Sequence, residues 1–192
     1  MNRTDVTLHG AVARSLSLEE VTLTETRYSP NEVLAAHDHA APMFVLVVAG
    51  EFEERFGSRD RSCSPYDLIY RPVGERHADR FGTRGASCLT IAISHADNFS
   101  DLSDADGRLH LQGLPALHAV KLYDEMYSQH HDTALAVEES VALLVASAEL
   151  RRAITERNVP LWLVRARDMI HDSLPLSIRL SAIAADVGVH RV

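Results

Sequence analysis

Cysteine is scarce. The chain has two, Cys63 and Cys88, too few for a disulfide framework, and they read as small buried thiols in a reducing compartment. Long apolar runs are missing as well. No stretch reaches the roughly eighteen apolar residues of a membrane span, and the opening MNRTDVTLHG has no apolar core of the signal-peptide kind. The expectation is a cytoplasmic protein with no membrane partner. Positive charge is also short: the net charge is −8, which excludes a generic polyanion binder. The deficit is uneven. Residues 160–192 carry Arg165, Arg167, Arg179 and Arg191 against Asp168, Asp172 and Asp186, a net of +1, so the rest of the chain holds −9. There is no internal repeat and no low-complexity run. What remains is an ordinary globular composition, 46% hydrophobic and 24% charged over 192 residues, enough for one domain or slightly more.

The pattern changes character near residue 95. Before it, VTLHGAV and EVTLTETRY are rich in β-branched residues. In EFEERF, Phe52, Glu54 and Phe56 face one way and Glu51, Glu53 and Arg55 the other. DLIYRP and SCLTIAIS read as further strands, with turn signals at SPNE, FGSRD, CSPYD, RPVGE and GTRGA. Many short strands with regular turns suggest a sandwich or small barrel. HADNFSDLSDADGR reads as a polar linker. After residue 110 the period is helical. One stripe is Leu117, Val120, Tyr123 and Tyr127. A second is Val137, Val141, Leu144 and Ala148, a third Leu163, Ala166, Ile170 and Leu174, and a short fourth Leu180, Ile183, Ala184 and Val187. Leu122, Met126, Leu143 and Val145 lie beside the first two as surplus apolar residues. One face of these helices is expected on the barrel, with the surplus available for self-association.

HDHAAPMFVLVVAG, residues 37–50, holds two histidines one residue apart. A strand alternates its side chains, so His37 and His39 share a face. Farther on, RPVGERH uses a Pro-x-Gly turn to deliver His77 at the head of another strand. Three neutral imidazoles can form one face of a metal's coordination sphere and leave positions open. The chain has eleven histidines, so a chance H-x-H is the competing reading.

The two segments resemble the cupin motifs: H-x-H followed by Glu and a final Gly, then G-x5-P-x-G-x2-H. Gly50 and the spacings match. The resemblance implies that His37, His39 and His77 line a small β-barrel and bind metal, with Met43 and Tyr70 in the ligand pocket. Met43 stands where the motif has its glutamate and Tyr66 where the second motif opens with glycine. A thioether is a poor substitute for carboxylate toward hard ions. Either a three-histidine site remains, suited to zinc, nickel or copper, or the histidines bind an organic ligand by hydrogen bonds.

In SIRLSAIAADVGVHRV, Ala184 precedes Gly188 by four residues, the small residue and turn glycine of a helix-turn-helix. The segment from Pro160 resembles the start of an AraC-type DNA-binding domain, a family in which a cupin-like sensor and paired dimerisation helices come first. The implied organisation is an α+β chain: a cupin-like sensor barrel over 1–95, linker and dimerisation helices over 96–159, and the start of a helix-turn-helix domain over 160–192. His190 and Arg191 fall where the recognition helix begins and would be its DNA-contacting residues. With so little of that helix present, specific DNA binding is expected only of a longer form. The resemblance thus implies the ligand- or metal-sensing, dimerising part of a non-enzymatic transcriptional regulator, truncated before its recognition helix, with a small-molecule or metal effector and a second copy of the chain as partners. The alternatives are a metal-dependent cupin enzyme, such as a dioxygenase or isomerase, and a metal-free binding module.

Overall fold

The computed structural model describes residues 9–57, 59–93, 110–128, 133–155, 161–172 and 179–189. The chain divides into two compact units, 1–150 and 151–192.

The first unit is built on two long antiparallel strands, β4 (Met43–Phe56) and β7 (His77–Ile93). Residues 43–49 of β4 pair with 87–92 of β7, and 52–56 pair with 77–81. Each strand therefore contributes to two layers. One layer adds β1 (Ala11–Ser17), β2 (Val21–Tyr28), β6 (Leu68–Arg71) and β8 (His110–Leu111), and the other adds β3 (Val33–His37) on β7 and β5 (Arg59–Cys63) on β4. The barrel-like interior between them holds Met43, Val45, Val47, Phe52, Cys63, Ile69, Phe81 and Cys88. Alternation sends the other residues of the same strands outward: Phe44, Leu46, Leu68, Tyr70, Leu89 and Ile91 pack under the helices α1 (Leu114–Tyr127) and α2 (Thr133–Thr155). The architecture is α+β, a barrel-like antiparallel sheet followed by helices.

The strands fall where alternation places them, and EFEERF buries Phe52, Glu54 and Phe56 as read. GTRGA is a correction. It is not a turn but lies inside β7, because a strand that bends between two layers needs glycine at the bend. Gly85 takes φ +68° and faces Gly50, itself at φ +74° between two register shifts. VTLHGAV lies partly outside the described residues, and β1 starts at Ala11. The polar linker over 95–108 lies outside them too.

Tyr66 keeps the backbone of the glycine it replaces. Its φ is +72°, and its amide donates to the Val47 carbonyl at 2.8 Å. The ring is 66% exposed, so little packing offsets the strain. Tyr66→Gly should raise stability by about 0.5–1 kcal/mol, the left-handed penalty less glycine's entropic cost. A urea midpoint that falls or stays put would contradict this.

The α2 stripe, Val137, Val141, Leu144 and Ala148, is wholly buried. The α1 stripe is displaced by one position from the expectation. The buried face is Ala116, Ala119, Leu122 and Met126, and Leu117 is exposed. Small residues let the helix approach the sheet closely, and the tyrosines of the expected stripe serve by their hydroxyls instead. Tyr123 and Tyr127 both donate to the Glu25 carboxylate on β2, which also accepts from Ser87 at 2.8 Å and from Arg27 at 3.3 Å. Burial works against the Glu25 charge, but these hydrogen bonds prevail and hold its pKa below the ordinary carboxylate range. Arg14 on β1 covers the Tyr127 ring at 4.7 Å.

The second unit holds α3 (Leu161–Asp172) and α4 (Leu180–Asp186), joined by an Arg165–Asp186 ion pair at 3.1 Å. Ala166, Ile183 and Ala184 are buried, whereas Leu163, Ile170 and Leu180 are exposed, so the third and fourth stripes are only partly used. Leu174 lies outside the described residues. Gly188 takes φ +72° just after α4, the conformation a helix-turn-helix glycine requires.

Candidate metal centre

His37 closes β3 and His77 opens β7, and the two are register partners in that strand pair. His39 lies just past the end of β3. The Pro72–Gly74 turn ties the two segments together, because the Gly74 amide donates to the His39 carbonyl at 2.9 Å and the turn needs the positive φ of Gly74, +72°. The three rings converge. Their centroids lie 4.3 Å (His37–His77), 5.1 Å (His37–His39) and 5.1 Å (His39–His77) apart, and one nitrogen from each falls within 4.8 Å of the others. His39 and His77 are buried and His37 is half-buried.

Two of the rings are oriented by their own strands. Nδ1 of His37 donates to the Ala35 carbonyl at 2.8 Å, and Nδ1 of His77 to the Glu75 carbonyl at 3.1 Å. A carbonyl only accepts, so each Nδ1 carries a proton, and in the neutral ring Nε2 is the nitrogen with the lone pair. That is the arrangement a metal-ligating histidine needs. The donor set therefore fits a borderline divalent transition metal.

Met43 lines the same chamber, with Tyr28, Phe52, Phe81 and Cys88. Tyr28 stacks on Phe81 with centroids 4.0 Å apart. Both cysteines are free and buried. Burial pushes the Cys88 thiol up to about 12 and raises Cys63 too, so neither is a ready thiolate. Tyr70 is placed elsewhere, in the layer beneath the helices against Phe44. Its neighbour Arg71 faces the chamber instead. The chamber is tight. The volume open to the centre of a water-sized sphere is about 10 Å³, about enough for one water.

Sequence reasoning missed two features here. One is a buried charged trio. Arg71 donates to Glu54 Oε1 through Nε at 3.1 Å and through a terminal nitrogen at 2.8 Å, and the same nitrogen lies 3.4 and 3.5 Å from the two Asp79 oxygens. Burial alone would drive Arg71 toward neutrality, but Glu54 and Asp79 hold it charged. The only signal was charge in phase with apolar residues: Arg71 with Ile69, Glu54 with Phe52 and Phe56, Asp79 with Phe81. The other is His9, which lines the chamber with its ring 4.4 Å from that of His37. Nothing in its surroundings in the sequence signals this. His190 and Arg191 lie outside the described residues.

No family model matches the chain, and no curated protein matches it. Among solved structures, the AraC-like transcriptional activator CuxR matches 92% of this chain and 69% of its own, at 16% identity and a TM-score of 0.51. A variant of oxalate decarboxylase from Bacillus subtilis matches 48% of this chain at 18% identity and a TM-score of 0.40, and this chain spans 28% of its length. A cupin superfamily protein from Desulfitobacterium hafniense matches 45% of this chain and 83% of its own, at 16% identity and a TM-score of 0.37. Over 92% of its length the chain thus shares the fold of an AraC-like transcriptional activator.

Proposed function

We propose that this chain is the metal-sensing part of an AraC-type transcriptional regulator, with a zinc, nickel or copper ion held by His37, His39 and His77. The observation that carries the reading is the convergence of three imidazoles, two of them held through Nδ1 so that Nε2 is the nitrogen left to coordinate. The size of the chamber supports an ion over an organic effector, since about 10 Å³ admits little more than a water. It also favours a sensor over a metal-dependent enzyme, which must admit a substrate beside its ion. When bound, the metal supplies a fixed positive centre that clamps β3, the connector after it and β7 together. The residues' part is to hold that clamp: the Ala35 and Glu75 carbonyls orient the rings, and the Gly74–His39 hydrogen bond keeps the two segments in register.

Loading with zinc and desalting should leave one equivalent per chain, and His77→Ala should reduce it well below that. Far less than one equivalent on the unmodified chain would overturn the reading. Of the surplus residues expected for self-association, Leu122 and Met126 are buried in the core and Val145 packs against it. The exposed Leu143, with Leu114, Leu117, Leu135 and Leu150 on α1 and α2, supports an isologous helical dimer instead, which sedimentation at tens of micromolar tests. The likeness to an AraC-like transcriptional activator supports DNA as a partner, and base readout needs side chains on a formed helix.

A further inference from the structure

We infer that Asp79 supplies the carboxylate ligand that Met43 cannot, so that the metal is held by three histidines and an aspartate on β7. The inference rests on the metal reading above. It moves the carboxylate from one strand to its neighbour, and it begins with alternation. His77 and Asp79 are two residues apart on β7 and both point inward. Asp79 Oδ2 lies 3.8 Å from His77 Nε2, the ring nitrogen not engaged by the Nδ1 bond to Glu75. Two donors each about 2.1 Å from one ion sit about 3.4 Å apart at the tetrahedral angle and at most about 4.2 Å apart. The observed separation from His77 lies inside those bounds. Asp79 groups within 4.8 Å with His77 and Glu54 and not with all three rings, so its carboxylate must swing toward His37 and His39 to join them. Asp79 also lines the chamber with His37, His39 and Met43.

The charged trio explains why Asp79 and not Glu54 takes this part. Arg71 makes its two short bonds, 2.8 and 3.1 Å, to Glu54, and approaches Asp79 only to 3.4 and 3.5 Å. Charge-assisted bonds of this kind are normally about 2.7–2.9 Å, so Arg71 favours Glu54 while still pairing with Asp79. One cation faces two carboxylates, so the trio as a whole leaves a negative charge beside the imidazoles. A divalent ion placed among the rings is then half neutralised by a carboxylate already inside the barrel. Met43 on β4 lines the same chamber with a thioether.

The test uses the full chain, stripped of metal. Cobalt(II) is titrated while its visible bands are followed, and zinc affinity is measured by competition with a chromophoric chelator. Asp79→Asn keeps the size of the side chain and an oxygen for Arg71, and leaves the neutral Glu54–Arg71 pair, so the fold should survive. It should weaken zinc by at least the roughly 10- to 100-fold seen when mere supporting partners are lost, and it should change the cobalt band pattern. Asp79→Glu keeps the charge but alters its reach, and should also shift the bands while restoring part of the affinity. It is the fallback if the asparagine variant does not fold. Glu54→Gln removes the same charge from the interior without removing a ligand, and should leave the cobalt bands in place. Unchanged bands in both Asp79 variants would overturn the inference even if affinity fell, because Asp79 would then act through its charge alone. If the unmodified chain and Asp79→Asn bind zinc equally while His77→Ala does not, only the Asp79 inference falls. If the unmodified chain takes up no metal, the metal reading falls with it.

Discussion

Arg71→Met will destabilise the protein by about 3–5 kcal/mol, the usual loss when one partner of a buried ion pair is removed. Arg71, Glu54 and Asp79 are all at least nine-tenths buried, and Arg71 is the cation both carboxylates face. Methionine fills much of the arginine's volume, so little of the loss comes from a cavity. The loss comes from two carboxylates left in a low-dielectric interior without a countercharge. Urea midpoints at neutral pH measure it. Adding Glu54→Gln to Arg71→Met should recover part of the loss by removing one orphaned charge, whereas two independent residues would add their costs. A loss under about 1 kcal/mol at neutral pH would mean that the trio is hydrated and not buried as described.

The trio also shows which part of the site the sequence makes readable. His37, His39 and His77 could be found because their convergence is encoded locally. Alternation aligns the first pair, and one Pro-x-Gly turn sets the third at the head of β7. Arg71, Glu54 and Asp79 lie on three strands and meet only once the sheet has its register, Met43 opposite Arg71 and Glu54 opposite Asp79. The sequence showed their inward phase but not their pairing. Position 43 drew attention because a motif demanded a carboxylate there, while the carboxylate two residues past His77 went unnoticed. The α1 phase was missed for a different reason. Alanine is barely apolar, so a face of Ala116 and Ala119 looks weaker than one with Leu117 and two tyrosines. Close approach to the sheet favours the small residues, and Glu25 pulls the tyrosine hydroxyls to itself. The barrel strands were legible because period-two burial is strong wherever one side faces a core. The bend inside β7 was not, because a glycine at a bend and a glycine in a turn look the same.

Gly50→Ala should cost about 3 kcal/mol or more, well above the ordinary price of a methyl group at a left-handed position. Gly50 is the last residue of the first histidine segment and sits where β4 passes from one layer to the other. A Cβ there would lie 2.0 Å from the Gly85 carbonyl oxygen and 2.7 Å from the Ala86 Cα, both backbone atoms that no rotamer change can move. Gly85 cannot retreat, because its own Cα faces the Tyr28 carbonyl of β2, which would stand 2.3 Å from any Cβ on it. Three backbones are stacked at one point, and two glycines make the stack possible. Gly57 is the internal control. Its φ is +56°, also left-handed, but among the described residues no atom beyond its chain neighbours lies within 4 Å of its missing Cβ. Gly57→Ala should therefore cost only about 1 kcal/mol. The difference between the two variants isolates the clash from the backbone strain. Gly50→Ala should reach the site as well, since the bend aims residues 52–56 of β4 and 77–81 of β7 over the chamber, and those stretches carry Glu54, His77 and Asp79. Zinc affinity of any folded Gly50→Ala protein should fall, while that of Gly57→Ala should not. Equal destabilisation of the two variants would mean that β4 and β7 do not cross at Gly50 and Gly85, and the two-layer path of both strands would have to be redrawn.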